Sequence, residues 1–125
     1  MTVAQGGQQI SLPAAADFST NGQYRFVSVD ASGNGTVSAA GATVLGIGQN
    51  KPGGAGRGYT VQISGVSKLL IHGTVNEGDR LRAETAGAGT ATTTDTHEYG
   101  AIALEAGASG AYIAVQVTPG GMVAG

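Results

Sequence analysis

Tyr59-Thr60-Val61-Gln62-Ile63-Ser64 decides how this chain is read. Tyr59, Val61 and Ile63 alternate with Thr60, Gln62 and Ser64, and a period of two puts one set on each face of an extended strand. The same alternation runs through three other stretches. Leu81, Ala83 and Thr85 alternate with Arg80, Arg82 and Glu84, and Ile102 and Leu104 with Ala101, Ala103 and Glu105. Ile113, Val115 and Val117 alternate with Ala114, Gln116 and Thr118. Less regular strands are predicted at 24–29, 36–39, 43–48 and 67–72.

Turn signals separate these strands. Gly33-Asn34-Gly35 supplies the positive φ angles of a tight hairpin. Asn76-Glu77-Gly78-Asp79 reads as a turn with Gly78 in the left-handed region, and Ala86-Gly87-Ala88-Gly89 closes the next hairpin. Pro52-Gly53-Gly54-Ala55-Gly56-Arg57-Gly58 lacks the Gly-Lys-Ser/Thr ending of a phosphate-binding loop and precedes a strand, so it reads as a hairpin tip. No stretch of ten residues combines helical periodicity with caps, and 23 glycines disfavour long helices. The expected fold is all-β, a single small β-barrel or β-sandwich of about seven to nine short strands. One internal echo stands out: Val61-Gln62-Ile63-Ser64 matches Val115-Gln116-Val117-Thr118 in residue type and phase. The echo is weak, and two hairpins built under one patterning rule often look alike, which is the preferred reading over an ancient duplication.

Residues 1–22 read differently, as an extended N-terminal arm outside a β-domain of residues 23–119, with 120–125 as a C-terminal tail. Gly6-Gly7-Gln8-Gln9 is polar and flexible, Pro13 argues against a continuous strand, and Ala14-Ala15-Ala16 offers little to pack. Ile10, Leu12 and Phe18 are the sizeable apolar anchors there and the candidate partner-contact residues. They are too sparse to offset the backbone entropy of ordering the segment alone, so the arm is expected to order only on a partner.

Composition narrows the function. Alanine supplies 20 residues, and Val, Ile, Leu and Phe together only 25 of 125, so the core is thin and a neighbouring subunit or partner is expected to complete it. Six basic against eight acidic residues give a net charge of −2, too little positive charge for nucleic acid. The absence of cysteine excludes disulfides and thiolate sites. The first residues lack the basic-then-apolar order of a secretory signal, and no apolar run approaches the roughly 20 residues of a membrane span, so synthesis in the cytoplasm without a membrane partner is expected.

Chemistry is hard to assemble from what remains. Asp95-Thr96-His97-Glu98 is the densest group of potential ligands, but neighbouring side chains on an extended or looped segment diverge, and paired-histidine spacing is absent. There is no Gly-x-Ser-x-Gly elbow around a serine nucleophile. The carboxylates fall mostly in turns or on polar strand faces, where ionised groups belong. No enzyme activity, cofactor or metal is expected.

The order of motifs carries a resemblance. Leu45-Gly46-Ile47-Gly48-Gln49-Asn50 leads to Val61-Gln62-Ile63-Ser64-Gly65-Val66-Ser67-Lys68, then to Val75-Asn76-Glu77-Gly78-Asp79-Arg80-Leu81. Tyr99-Gly100-Ala101-Ile102-Ala103-Leu104-Glu105-Ala106 and Ile113-Ala114-Val115-Gln116-Val117-Thr118-Pro119-Gly120-Gly121 close the chain. This order, over about residues 43–121, resembles the small capsid decoration (cement) proteins of tailed bacteriophages. The resemblance implies a structural virion protein on the capsid surface that binds the major capsid protein, associates with itself as a homotrimer and has no catalytic residues. The alternatives are an appendage or fibre module, which should show repeats along its length where the sequence shows none clearly, and a non-catalytic carbohydrate-binding β-sandwich. Four tyrosines, two phenylalanines and no tryptophan make a thin sugar platform.

Overall fold

The computed structural model describes residues 7–93 and 97–122. Among the described residues, ten strands form two antiparallel five-stranded sheets packed as a β-sandwich. The first sheet holds β1 (Gln9–Pro13), β2 (Phe26–Val29), β3 (Gly35–Val37), β4 (Gly46–Gly48) and β5 (Gly58–Gln62). The second holds β6 (Val66–Leu70), β7 (Arg80–Ala83), β8 (Gly89–Ala91), β9 (Glu98–Ala103) and β10 (Tyr112–Met122), with one 3-10 turn at Thr85–Gly87. All-β architecture follows from the period-two patterning, and the four clean alternations fall on or beside β5, β7, β9 and β10. On β9 the phase is reversed: the small Ala101 and Ala103 are buried against the other sheet, while Ile102 is half-buried and Leu104 is 39% exposed.

The strand order resolves the internal echo. The first sheet runs β1-β5-β4-β2-β3 and the second β6-β10-β9-β7-β8, which is the same order shifted by five strands. The registers agree residue for residue. Val27, Ser28 and Val29 pair Val37, Thr36 and Gly35, as Leu81, Arg82 and Ala83 pair Ala91, Thr90 and Gly89. Leu12 faces Tyr59 and Ser11 faces Thr60, as Leu69 faces Ile113 and Lys68 faces Ala114. Ile47 faces Gln62 as Ile102 faces Gln116, so Val61-Gln62 and Val115-Gln116 are structurally equivalent. The outer strands of each sheet meet at one parallel bridge, Ala14 with Gly35 and Ile71 with Gly89. A single bridge without a ladder leaves each sheet curled rather than closed into a barrel. The protein is a tandem repeat of one five-strand unit.

This repeat corrects the reading of residues 7–22 as a segment outside the domain. β1 is the edge strand of the first sheet, paired along its length with β5, just as β6 pairs β10. Pro13 is its last residue, on an edge, where a missing N–H costs no ladder bond. Ala14 then donates its N–H to Arg57 O at 2.7 Å, and Phe18 donates to Pro52 O at 2.9 Å. The equivalent bonds in the second repeat run from Ile71 to Ala111 O and from Val75 to Gly107 O. β8 also went unread, because a three-residue Gly-Thr-Ala strand carries no apolar alternation. Gly120 and Gly121, assigned to a tail, continue β10 beyond a register break after Val117.

Two apolar clusters fill the sandwich. The smaller joins Ala14, Phe18, Val27, Tyr59 and Val61 within the first repeat. Its centre is Tyr59, fully buried, with the Phe18 ring 5.5 Å away and its hydroxyl donating to Gly22 O at 2.5 Å. Gly48 on β4 makes room for that hydroxyl, since a Cβ there would lie 2.8 Å from it. Burial pushes the Tyr59 hydroxyl well above its ordinary pKa, with nearby Arg25 acting weakly against the shift. The larger cluster spans the two sheets, with Phe26, Val44 and Ile47 packed among Leu69, Leu81, Ile113 and Val115.

Candidate functional site

The hairpins fall where the turn residues place them. Gly33 and Gly78 both take positive φ, at 83°. Asp30 Oδ1 caps the first of these turns by accepting from the Ser32 and Asn34 amides at 2.9 and 2.8 Å. The interest lies in one turn that breaks the pattern. Tyr24 is the structural equivalent of Gly78: its amide donates to Gly48 O as that of Gly78 donates to Ala103 O. Tyr24 nonetheless holds φ at 58°, in the left-handed region that a non-glycine residue enters at a cost of about 1–2 kcal/mol.

The Tyr24 ring stands in a groove of about 310 Å³, lined by Thr20, Gln23, Tyr24, Arg25 and Lys51 of the first repeat and Lys68 and Tyr112 of the second. Tyr112, 47% exposed, meets Tyr24 edge to face with centroids 6.0 Å apart. Lys68 Nζ lies 5.5 Å from the Tyr24 centroid, a cation–π contact. The Tyr24 carbonyl accepts the Leu70 amide at 2.9 Å and ties this turn to β6. Arg25 Nη1 donates to Ala86 O at 2.9 Å, while its Nε is buried without a hydrogen-bond partner. Three of the six basic residues of the chain line the groove, and none of its lining residues is acidic. Its chemistry suits an anion carried on a body that stacks against aromatic rings.

The groove belongs to one repeat junction alone. The residues equivalent to Tyr24, Arg25, Lys68 and Tyr112 are Gly78, Asp79, Ser11 and Gly58, which supply neither rings nor positive charge.

The sequence-predicted sites lie elsewhere. Ile10 and Leu12 are half-buried on the inner face of β1, and Phe18 is 9% exposed against Tyr59. All three serve the first repeat within the same chain, with Ile10 against the smaller cluster. Of the Asp95-Thr96-His97-Glu98 group, residues 95 and 96 lie outside the described residues. His97 Nδ1 bonds Thr92 Oγ1 at 2.9 Å, and Glu98 Oε2 accepts from Thr43 Oγ1 at 2.8 Å, so both face protein partners. Among the described residues no three His, Asp or Glu side chains converge on a metal-sized site. The groove itself was missed, because its residues come from four separated segments and a positive φ at Tyr24 leaves no trace in composition.

No protein-family model and no curated protein matches the chain. Among solved structures, the fold is similar to that of the N base of the head fibre gp8.5 of bacteriophage phi29. The match has a TM-score of 0.68 and 13% sequence identity, and covers 89% of this chain and 93% of that one.

Proposed function

We propose that this protein is a structural component of a bacteriophage virion that binds the outside of the capsid and stabilises it. The observation that carries the reading is the near end-to-end likeness of its fold to a phage head-fibre base. The order of motifs over residues 43–121, which resembles capsid decoration proteins, points the same way. The proposed partners are the major capsid protein and further copies of this chain, as a homotrimer, with no nucleic acid or membrane involved. Such a role requires binding and no catalysis, since a ligand that binds only the mature shell raises its stability by mass action.

A second reading is favoured by the same neighbour: the chain is the attachment base of a head appendage. The two readings differ in stoichiometry and consequence. Purified protein is mixed with bare expanded capsids, and bound copies and heat resistance are measured after sedimentation. A decoration protein saturates the lattice and raises the temperature at which capsids rupture. An appendage base binds a few sites and leaves that temperature unchanged. No association at micromolar concentration contradicts both.

A further inference from the structure

We propose that the groove between the repeats is a binding site for a negatively charged sugar residue, of the uronate class. The inference stands on the groove alone and is independent of any role on a capsid. Lys51, Lys68 and Arg25 supply positive charge from three segments, and no lining carboxylate neutralises them. Thr20 and Gln23 add neutral hydrogen-bonding side chains of the kind that read sugar hydroxyls. Tyr112, nearly half exposed, offers a ring against which a pyranose can stack. A bare carboxylate on a peptide would need only the cations. The rings and neutral polar groups beside them favour a sugar ring bearing the carboxylate.

The backbone at Tyr24 is the independent observation. The fold accepts glycine at this position, as Gly78 shows in the other repeat, and the left-handed φ is one that glycine adopts freely. A tyrosine there strains the chain, and what it gains is a ring placed between Lys68 and Tyr112. Ala86 also holds a positive φ, at 59°, so the strain at Tyr24 argues for binding through what it places there: a ring beside a cationic cluster with no lining carboxylate. The equivalent surface of the other repeat lacks each of these features.

The test is a titration of the isotope-labelled full chain, followed by amide chemical shifts, with D-glucuronate, D-glucose and triglutamate as probes. Glucuronate is expected to give saturable shifts at residues 20–25, 51, 68 and 112, with a dissociation constant of about 1–10 mM. Glucose should bind about tenfold more weakly for want of the charge-assisted contacts. Lys68→Gln should weaken glucuronate about fivefold or more. Tyr24→Gly, which the backbone tolerates, should abolish saturation while leaving the remaining spectrum intact. Absence of saturable shifts with glucuronate overturns the proposal. So does triglutamate binding as tightly as glucuronate, which would make the groove a peptide site, or Tyr24→Gly binding like the parent chain.

Discussion

Ala14 and Phe18 in the first repeat, and Ile71 and Val75 in the second, donate the same backbone hydrogen bonds, yet the two repeats are filled differently. The first closes over Tyr59 and four smaller apolar residues. The second draws Phe26, Val44 and Ile47 from its neighbour into a cluster more than twice as populous. Strand order and register survive this divergence because they depend on backbone pairing and on where turns fall. Side chains then vary within a fixed ladder, and two of the large differences, Tyr24 against Gly78 and Tyr112 against Gly58, sit at the groove.

The sharpest way to break the comparison is to remove what makes the first repeat a repeat. Deleting residues 2–18 takes away β1, Ala14 and Phe18, and is expected to abolish cooperative unfolding of the first sheet, seen as loss of β signal in far-ultraviolet circular dichroism. A free arm would leave that spectrum unchanged. Phe18→Ala should cost about 3–5 kcal/mol in urea denaturation, since the Tyr59 ring beside it cannot collapse into the space. Its equivalent, Val75→Ala, removes fewer carbons and should cost less.

Tyr59→Phe removes a buried hydrogen bond and strands the Gly22 carbonyl, for about 1–3 kcal/mol. It should also change the pH dependence. The folded-state pKa of Tyr59 is raised above its ordinary 10.0, so its contribution is complete below pH 10 and is lost as pH climbs toward the folded value, because the unfolded chain ionises first. The parent protein should therefore lose stability above pH 10 more steeply than Tyr59→Phe, as measured by urea midpoints across that range. Exchanging the turn residues gives smaller effects. Gly78→Tyr should cost about 1–2 kcal/mol through its left-handed φ, with open space to receive the ring. Tyr24→Gly should alter stability by less than about 1 kcal/mol, because relieved strain is offset by the entropy of a glycine in the unfolded chain.

Much of the fold was legible where burial imposed alternation. β5, β7 and β10 bury the apolar face that the alternation predicts, whereas β9 buries Ala101 and Ala103 and turns Ile102 and Leu104 outward. Gly33 and Gly78 mark turns before β3 and β7. β1 was hidden because an edge strand needs little apolar content when its ladder partner supplies the register, and because a terminal proline looks like a breaker. The echo did not reveal it either: the step from Leu12 to Leu69 is three residues longer than the 54 from Val61 to Val115, so the predicted strand at 67–72 followed back by 54 lands on 13–18, at and past the end of β1. Ile10, Leu12 and Phe18 were visible as apolar anchors, but apolarity does not say whose core they enter. The groove was illegible for a different reason: Tyr24, Lys68 and Tyr112 meet only once two repeats are packed.

The claim that residues 7–22 complete the first repeat, as 64–76 complete the second, is tested most directly by native-state amide exchange on the free full-length chain. The amides of Ala14 and Phe18 should be protected by orders of magnitude over free-peptide rates, as those of their equivalents Ile71 and Val75 should be. Exchange of Ala14 and Phe18 at free-peptide rates, with Ile71 and Val75 still protected, would contradict it.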